Sequence, residues 1–250
     1  MRLSGVTEKL KQCIKRWPRA YTSNQRFYYR FLHFAETSFL GTRIHEWAWR
    51  FFHRISLEEL SESAAHPHRD FLIKRIEKYK PFDTVLEIGC NAGQNLFLLG
   101  QRFPEAAFHG IDINSSFIEA GRNWLTDNDI TNVSLTVKRA DQVEDFDDRT
   151  FDIVFTDATM MYIGPDKIRR LLREMKRVAC KAILMNEWHL ERATSANPSL
   201  WYDLHWVHNY RLLLEGLVPP DKISVIKLPK QLWGAGGWEE YGSLIEVDMT

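Results

Sequence analysis

The stretch Val85-Leu86-Glu87-Ile88-Gly89-Cys90-Asn91-Ala92-Gly93-Gln94-Asn95-Leu96 constrains the fold more than any other part of the chain. Thr84 to Ile88 is an apolar run of strand length with one acid, Glu87, near its end. A turn with glycines at 89 and 93 follows, and Gln94 to Phe103 reads as a helix with Leu96, Leu98 and Leu99 apolar. Strand, glycine turn and helix make the first βα unit of a nucleotide-binding sheet. Glycines let backbone approach a ligand closely, and the helix N-terminus offers free N–H groups. The G-x-G-x-x-G spacing that seats a dinucleotide pyrophosphate is absent.

Downstream, the pattern repeats. Ala106 to Ile113 reads as a second strand with Asp112 near its tip, 19 residues after Gly93, where a carboxylate can accept from both hydroxyls of a ribose. A helix over 115–127, an alternating strand Val133 to Val137, a strand Phe151 to Phe155, an amphipathic helix 165–179 and a strand Lys181 to Asn186 follow. Residues 198–215 read as a last helix that places His205 and His208 on one face, with no carboxylate to complete a metal-ligand set; no metal is expected. Ile223 to Leu228 and Ser243 to Val247 then read as two strands joined by a glycine-rich turn, Trp233 to Trp238. The fold class is α/β: a Rossmann-like seven-stranded sheet ending in an antiparallel hairpin, preceded by a helical extension.

Charge divides the chain unevenly. The net charge is zero over 250 residues, yet residues 1–54 hold 11 Lys/Arg against 3 Glu, leaving 22 basic and 30 acidic residues in the remainder. Residues 1–20 carry Leu10, Ile14 and Trp17 at helical spacing among lysines, an amphipathic basic helix suited to an anionic surface, a partner or solvent alone. Residues 21–54 contain 11 Phe, Tyr or Trp in 34 positions, a face that must be buried as a cap, a dimer surface or a membrane patch. Ser61 to Ala65 reads as a linker, and Pro67 opens a helix over 68–80 with His66, His68 and Arg69 at its start. The expected division is an extension, 1–62, and a catalytic body, 63–250. Three scattered cysteines, no apolar run of 18 residues and no secretory h-region point to a cytoplasmic protein, with peripheral membrane contact through residues 1–54 an open alternative.

Glu87, Gly89 and Gly93 match motif I, E/D-x-G-x-G-x-G, of the class I S-adenosylmethionine (SAM)-dependent methyltransferases, with Asn91 in place of the middle glycine. Asn tolerates positive φ better than other non-glycine residues, so the turn can survive. Gly110-Ile111-Asp112-Ile113-Asn114 resembles the family's G-x-D-x-S segment, and the stretch from Phe151 to Ile163 resembles motif IV of its small-molecule members, not the N/D-P-P-Y/F form of enzymes that methylate amino groups of bases or glutamine. The resemblance covers roughly residues 67–250. It implies SAM as cofactor, held by Glu87, Gly89, Cys90, Asn91, Gly93, Asp112, Ile113, Asp141, Gln142 and Thr156. It places Thr156 and Asp157 beside the reacting sulfonium, Met161 and Tyr162 at the acceptor entrance, and the aromatic extension as a cap.

The implied reaction is in-line methyl transfer to an O or N of a small polar molecule, such as a sugar or natural-product intermediate. A hydroxyl acceptor needs a base within reach. Ligands of open α/β sheets bind at the strands' C-terminal ends, so Glu187 and His189, after strand five, lead the base candidates, with Tyr162, His208 and His205. An RNA or protein methyltransferase using the basic arm, and a non-catalytic scaffold of the same fold, are the competing readings. Oligomeric state and acceptor identity are not encoded in any motif.

Overall fold

A computed structural model describes residues 46, 49, 50, 56–202, 205–233 and 236–250. The basic helix expected over 1–20 and most of the aromatic segment 21–54 lie outside the described residues.

The elements in chain order are α1 (Leu57–Ala64), α2 (Pro67–Ile76), β1 (Thr84–Ile88), α3 (Gln94–Arg102), β2 (Ala107–Asp112), α4 (Ser115–Asp127), β3 (Val133–Val137), β4 (Phe151–Asp157), α5 (Pro165–Val178), β5 (Ala179–Trp188), β6 (Ser199–Tyr202), β7 (His205–His208), α6 (Tyr210–Leu214), β8 (Ile223–Lys227), α7 (Gly237–Tyr241) and β9 (Gly242–Asp248). The main sheet runs β3-β2-β1-β4-β5-β9-β8. β1 to β5 pair in parallel, and β9 is inserted antiparallel to both β5 and β8. The seven-stranded sheet with its terminal hairpin is therefore present.

Central strands are apolar on both faces because helices cover both sides of a parallel sheet. Alternate residues of one strand feed separate cores: Val85, Ile153 and Phe155 join Leu72, Phe97 and Phe108 on one side, while Leu86, Ile88 and Val154 join α5 and Tyr210 on the other. α5 buries Ile168, Leu171, Leu172, Met175 and Val178, each at 3% exposure or less. At about 1.5–3 kcal/mol apiece, that stripe holds an otherwise highly charged helix on the sheet. At the edge, β3 buries Leu135 and leaves Val137 exposed.

Two sequence expectations are corrected. Residues 61–65 are not a linker: α1 runs to Ala64 and buries Leu60, and it starts at a capping box in which Ser56 N donates to Glu59 Oε2 (2.7 Å) and Glu59 N to Ser56 Oγ (3.2 Å). Residues 198–215 are not one helix. They form the β6–β7 hairpin followed by the short α6, with Trp201 opposite Trp206 and their rings 5.0 Å apart. Aromatic and β-branched residues of this segment pair well across strands, and that pairing outweighs a helical spacing of histidines. In a strand His205 and His208 take opposite ring environments: His205 meets Trp188 and Tyr162, His208 meets Ser199 and Ile163.

Candidate active site

A cavity of about 490 Å³ opens over the C-terminal ends of β1, β2 and β4. Its floor is the motif I turn, where Gly89 (φ 75°), Asn91 (φ 55°) and Gly93 (φ 82°) take the left-handed conformation. Asn91 thus does the work of the missing glycine, and its Oδ1 accepts from the N–H of Ala92 at 2.7 Å. Thr159 lies directly over Gly89 and donates through Oγ1 to the Gly89 carbonyl (3.3 Å).

One end of the cavity is lined by Asp112 at the tip of β2 and Asp141 in the turn after β3. Asp112 accepts from the N–H groups of Asn91 (2.9 Å) and Asn114 (2.8 Å). Burial pushes its carboxyl up to about 6 against those hydrogen bonds. Asp141 is gripped by Nε and a terminal nitrogen of Arg139 (2.9 and 3.0 Å), whose hydrogen bond holds it below the usual carboxylate range. Glu46 and Trp49 of the extension line the same cavity. Glu46 pairs with Lys167 and Arg139, and the Trp49 ring meets Tyr162 edge-on at 5.0 Å.

The opposite end is a buried polar cluster. Asn95 Nδ2 donates to Glu87 Oε1 (2.7 Å) and Asp157 Oδ2 (3.0 Å). His68 Nε2 reaches Asp157 Oδ2 at 2.9 Å, Asn186 Nδ2 donates to Asp157 Oδ1 at 2.7 Å, and Arg69 lies 3.5 Å from the same carboxylate. Burial alone would raise Asp157, but the cations of His68 and Arg69 and the His68 and Asn95 hydrogen bonds hold it well below the usual carboxylate range. Burial pushes Glu87 well above that range, and its Oε2 has no partner among the described residues. His66 and Trp233 close this end.

Residues 85–181 match the family model described as a methyltransferase domain. That segment is a methyltransferase domain. The chain is 34% identical over 92 residues to aklanonic acid methyltransferase DauC of a Streptomyces species, covering 36% of this chain and 41% of that one. Over 153 residues it is 26% identical to the malonyl-[acyl-carrier protein] O-methyltransferase of Anoxybacillus flavithermus, covering 61% and 53%. The chain therefore spans about half, or less, of these curated relatives' lengths. A SAM-dependent methyltransferase from Aquifex aeolicus shares the fold at a TM-score of 0.53 and 18% identity, over 79% of this chain and 100% of that one.

Within the methyltransferase domain, Glu87, Gly89, Cys90, Asn91, Asp112, Ile113, Asp141 and Tyr162 line the cavity. Gly93 caps α3 just beneath it. Other expected site residues lie off the cavity lining or serve the scaffold instead. Gln142 turns back to accept from Arg139 N (2.9 Å), closing its own 3-10 turn. Thr156 is fully buried on the opposite side of β4 from Asp157, as strand alternation demands, so Asp157 takes the cavity position. β5 extends two residues past Asn186, which keeps Glu187 inside the strand. There Glu187 accepts from Thr159 N (2.8 Å), and burial pushes it up to about 7. His189 accepts from Tyr210 N, and His208 bridges Ser199 Oγ (2.7 Å) and the Ile163 carbonyl (2.9 Å); burial lowers both to about 4. Tyr162 stays at the cavity wall, but burial and Glu187 push its phenol up to about 12. The groups that sequence reasoning underweights are Asn95, Asp157 and His68. Their sequence signal is position: the second residue of α3, the last residue of β4, where the motif IV resemblance also sets Asp157, and the second residue of α2.

Proposed function

We propose that the protein is a SAM-dependent methyltransferase that transfers a methyl group to an oxygen or nitrogen of a small polar molecule. The observation that carries this reading is a single cavity that joins three chemistries in line: Asp112 and Asp141 at one end, the motif I turn in the middle, and the Glu87–Asn95–Asp157 cluster at the other. Asp112 suits two ribose hydroxyls, because each of its oxygens keeps an acceptor lone pair beyond its backbone bond. The orphan Oε2 of Glu87 suits an ammonium such as that of a methionine moiety, which would also favour the ionised carboxylate that burial disfavours. When bound, SAM supplies an activated methyl on a sulfonium. The protein's share is then to position the acceptor and exclude water. Relatives named as O-methyltransferases favour oxygen as the acceptor atom.

Calorimetric titration with SAM and with S-adenosylhomocysteine tests the cofactor. Methyl transfer from labelled SAM to fractionated small molecules, read by mass spectrometry, tests the acceptor class. Saturable binding, with labelled product in the small-molecule fraction, is the expected result. Absence of SAM binding would overturn the reading in favour of a scaffold role, and label in RNA or protein would move the acceptor class.

A further inference from the structure

We propose that Glu187 is a positioning residue for the methyl transfer: it holds the turn 158–162 across the motif I turn and so fixes the wall that an acceptor meets, a role that rests on the methyltransferase reading above. Glu187 itself reaches no ligand, since its side chain is fully buried and lies off the cavity lining. What it touches is the turn that does line the cavity. Thr159 N donates to Glu187 Oε1 at 2.8 Å, one residue after Ala158 N donates to the Asn186 carbonyl at 2.9 Å. Ala158, Thr159 and Tyr162 all line the cavity.

The turn is under constraint. Ala158 sits at φ 54°, a left-handed backbone that a residue with a Cβ takes only where its surroundings over-determine it. Three bonds do so: Ala158 N to β5, Thr159 N to Glu187, and Thr159 Oγ1 to the Gly89 carbonyl at 3.3 Å, the last shared with the Asp157 carbonyl at 3.2 Å. Of the three, only the bond to Glu187 can be charge-assisted. From Thr159 the chain winds on as a 3-10 turn, with Tyr162 N donating to the Thr159 carbonyl and Ile163 N to the Met160 carbonyl, both at 3.0 Å. It ends by setting the Tyr162 ring against Trp49 and His205, each edge-on at 5.0 Å. One carboxylate therefore anchors a hydrogen-bonded run that begins over Gly89 and ends at the cavity wall.

A neutral side chain of the same shape would hold one N–H without the cost of burying a charge. A carboxylate adds a grip that varies with its ionisation. Burial pushes Glu187 up to about 7, against the N–H groups of Met160 and Thr159, and the Asp157 charge pushes in the same direction as burial. The titratable groups facing Glu187 are Asp157 from β4, Tyr162 from the turn and Tyr210 from α6. Asp157 is held well below the usual carboxylate range, and burial pushes both phenols up, so none of the three changes charge near pH 7. On the other flank β9 pairs Ser243 with Glu187, and a serine does not titrate. As Glu187 ionises, its bond to the Thr159 N–H strengthens and the turn tightens.

The test compares the full chain with Glu187→Gln, which keeps an acceptor oxygen and the shape but not the charge. The first readout is the Thr159 amide in 1H–15N spectra of the protein without cofactor. Its proton should move downfield as pH rises from 6 to 8 and should not do so in Glu187→Gln. The second is methyl transfer from labelled SAM into the small-molecule fraction of a cell extract, at saturating SAM. The ratio of wild-type to variant rate should rise about fivefold or more between pH 6 and 8, because a group titrating near 7 passes from about a tenth to about nine-tenths ionised. Affinity for S-adenosylhomocysteine, measured by calorimetry, should stay alike in the two proteins. A side chain that only fills space would leave the rate ratio constant. A constant ratio, a Thr159 amide that ignores pH in the wild type, or one that titrates alike in both proteins overturns the assignment. If the extract takes up no label, the amide decides alone. Absence of SAM binding to the wild type would instead overturn the methyltransferase reading, and the amide titration would still decide whether Glu187 grips the turn.

Discussion

His68 and Asp157 lie 89 residues apart in the chain and 2.9 Å apart in the structure. The pair joins the first turn of α2 to the tip of β4, and Asn95, Asn186 and Arg69 converge on the same carboxylate. Replacing Asp157 by Asn keeps the shape but leaves the Arg69 side chain, 11% exposed, without its anion. Removing one partner of a buried pair costs about 3 kcal/mol or more. Asp157→Asn should therefore destabilise by that order in urea titrations at pH 7, and Asp157→Asn with Arg69→Met should recover part of the loss. An unchanged midpoint would show that the cluster is solvated rather than buried.

Asp112 offers a pH test of the cofactor end. Its carboxyl is pushed up to about 6, chiefly by burial, so it is mostly ionised at pH 8 and mostly protonated at pH 5. A protonated carboxyl loses acceptor capacity toward two ribose hydroxyls. SAM affinity measured by calorimetry should weaken severalfold as pH falls through about 6. Asp112→Ala should bind at least about tenfold more weakly, since a hydrogen bond to a charged group contributes roughly 1.5–3 kcal/mol, and should lose the pH dependence.

Gly89 is constrained twice. Its φ is 75°, and a Cβ there would come within 2.2 Å of Thr159 Oγ1. Gly89→Ala should destabilise by about 1–3 kcal/mol from backbone strain alone, with the clash in addition. Pairing it with Thr159→Gly should restore only the clash component. Thermal melts of the three variants separate the two contributions, and full recovery in the double variant would mean that the backbone bears no strain.

Buried titratable groups oppose one another in acid. His189 and His208 have pKa values lowered to about 4, so the stability they contribute falls away as pH drops from about 6.5 to 4. Glu187 and Asp112 have raised values, about 7 and about 6, so theirs is present at low pH and lost as pH rises through 6 to 7. Each group contributes a slope of up to about 1.4 kcal/mol per pH unit, and the two pairs nearly cancel between about pH 4.5 and 6. Glu87, also raised by burial, adds a fall with rising pH there, and His66 and His109, lowered by burial, add a rise, so the test is the change relative to wild type. Glu187→Gln should shift the slope of stability against pH upward across that window, and His208→Gln should shift it downward. Chemical denaturation at half-unit pH intervals measures both slopes; equal slopes in the two variants would refute the assignment.

The fold is legible where local chemistry and global topology agree. The apolar run ending in Glu87, the glycines at 89 and 93, Asp112 at its spacing and the helix-free terminal strand pair all set backbone geometry directly. Asn91 can hold positive φ by its chemistry, and it does so. The site is less legible because which side chain faces a cavity depends on where a strand ends. A strand two residues longer than its apolar run hides Glu187, and alternation along β4 exchanges Thr156 for Asp157. The Ser56–Glu59 capping box stands in the sequence and announces α1, which the polar composition of residues 61–65 masks. The β6–β7 hairpin escapes a sequence reading because its cross-strand tryptophan pair has no signature within either strand alone.

Trp233 and Trp238 stack face to face, with ring centroids 3.8 Å apart and planes within 4° of parallel, and Trp233 also lines the cavity against His68. Two indoles held this closely share their excited states. The molecule therefore carries its own optical gauge: an exciton couplet in the ultraviolet circular dichroism that reports whether anything has entered beside His68, with no label attached and no turnover required.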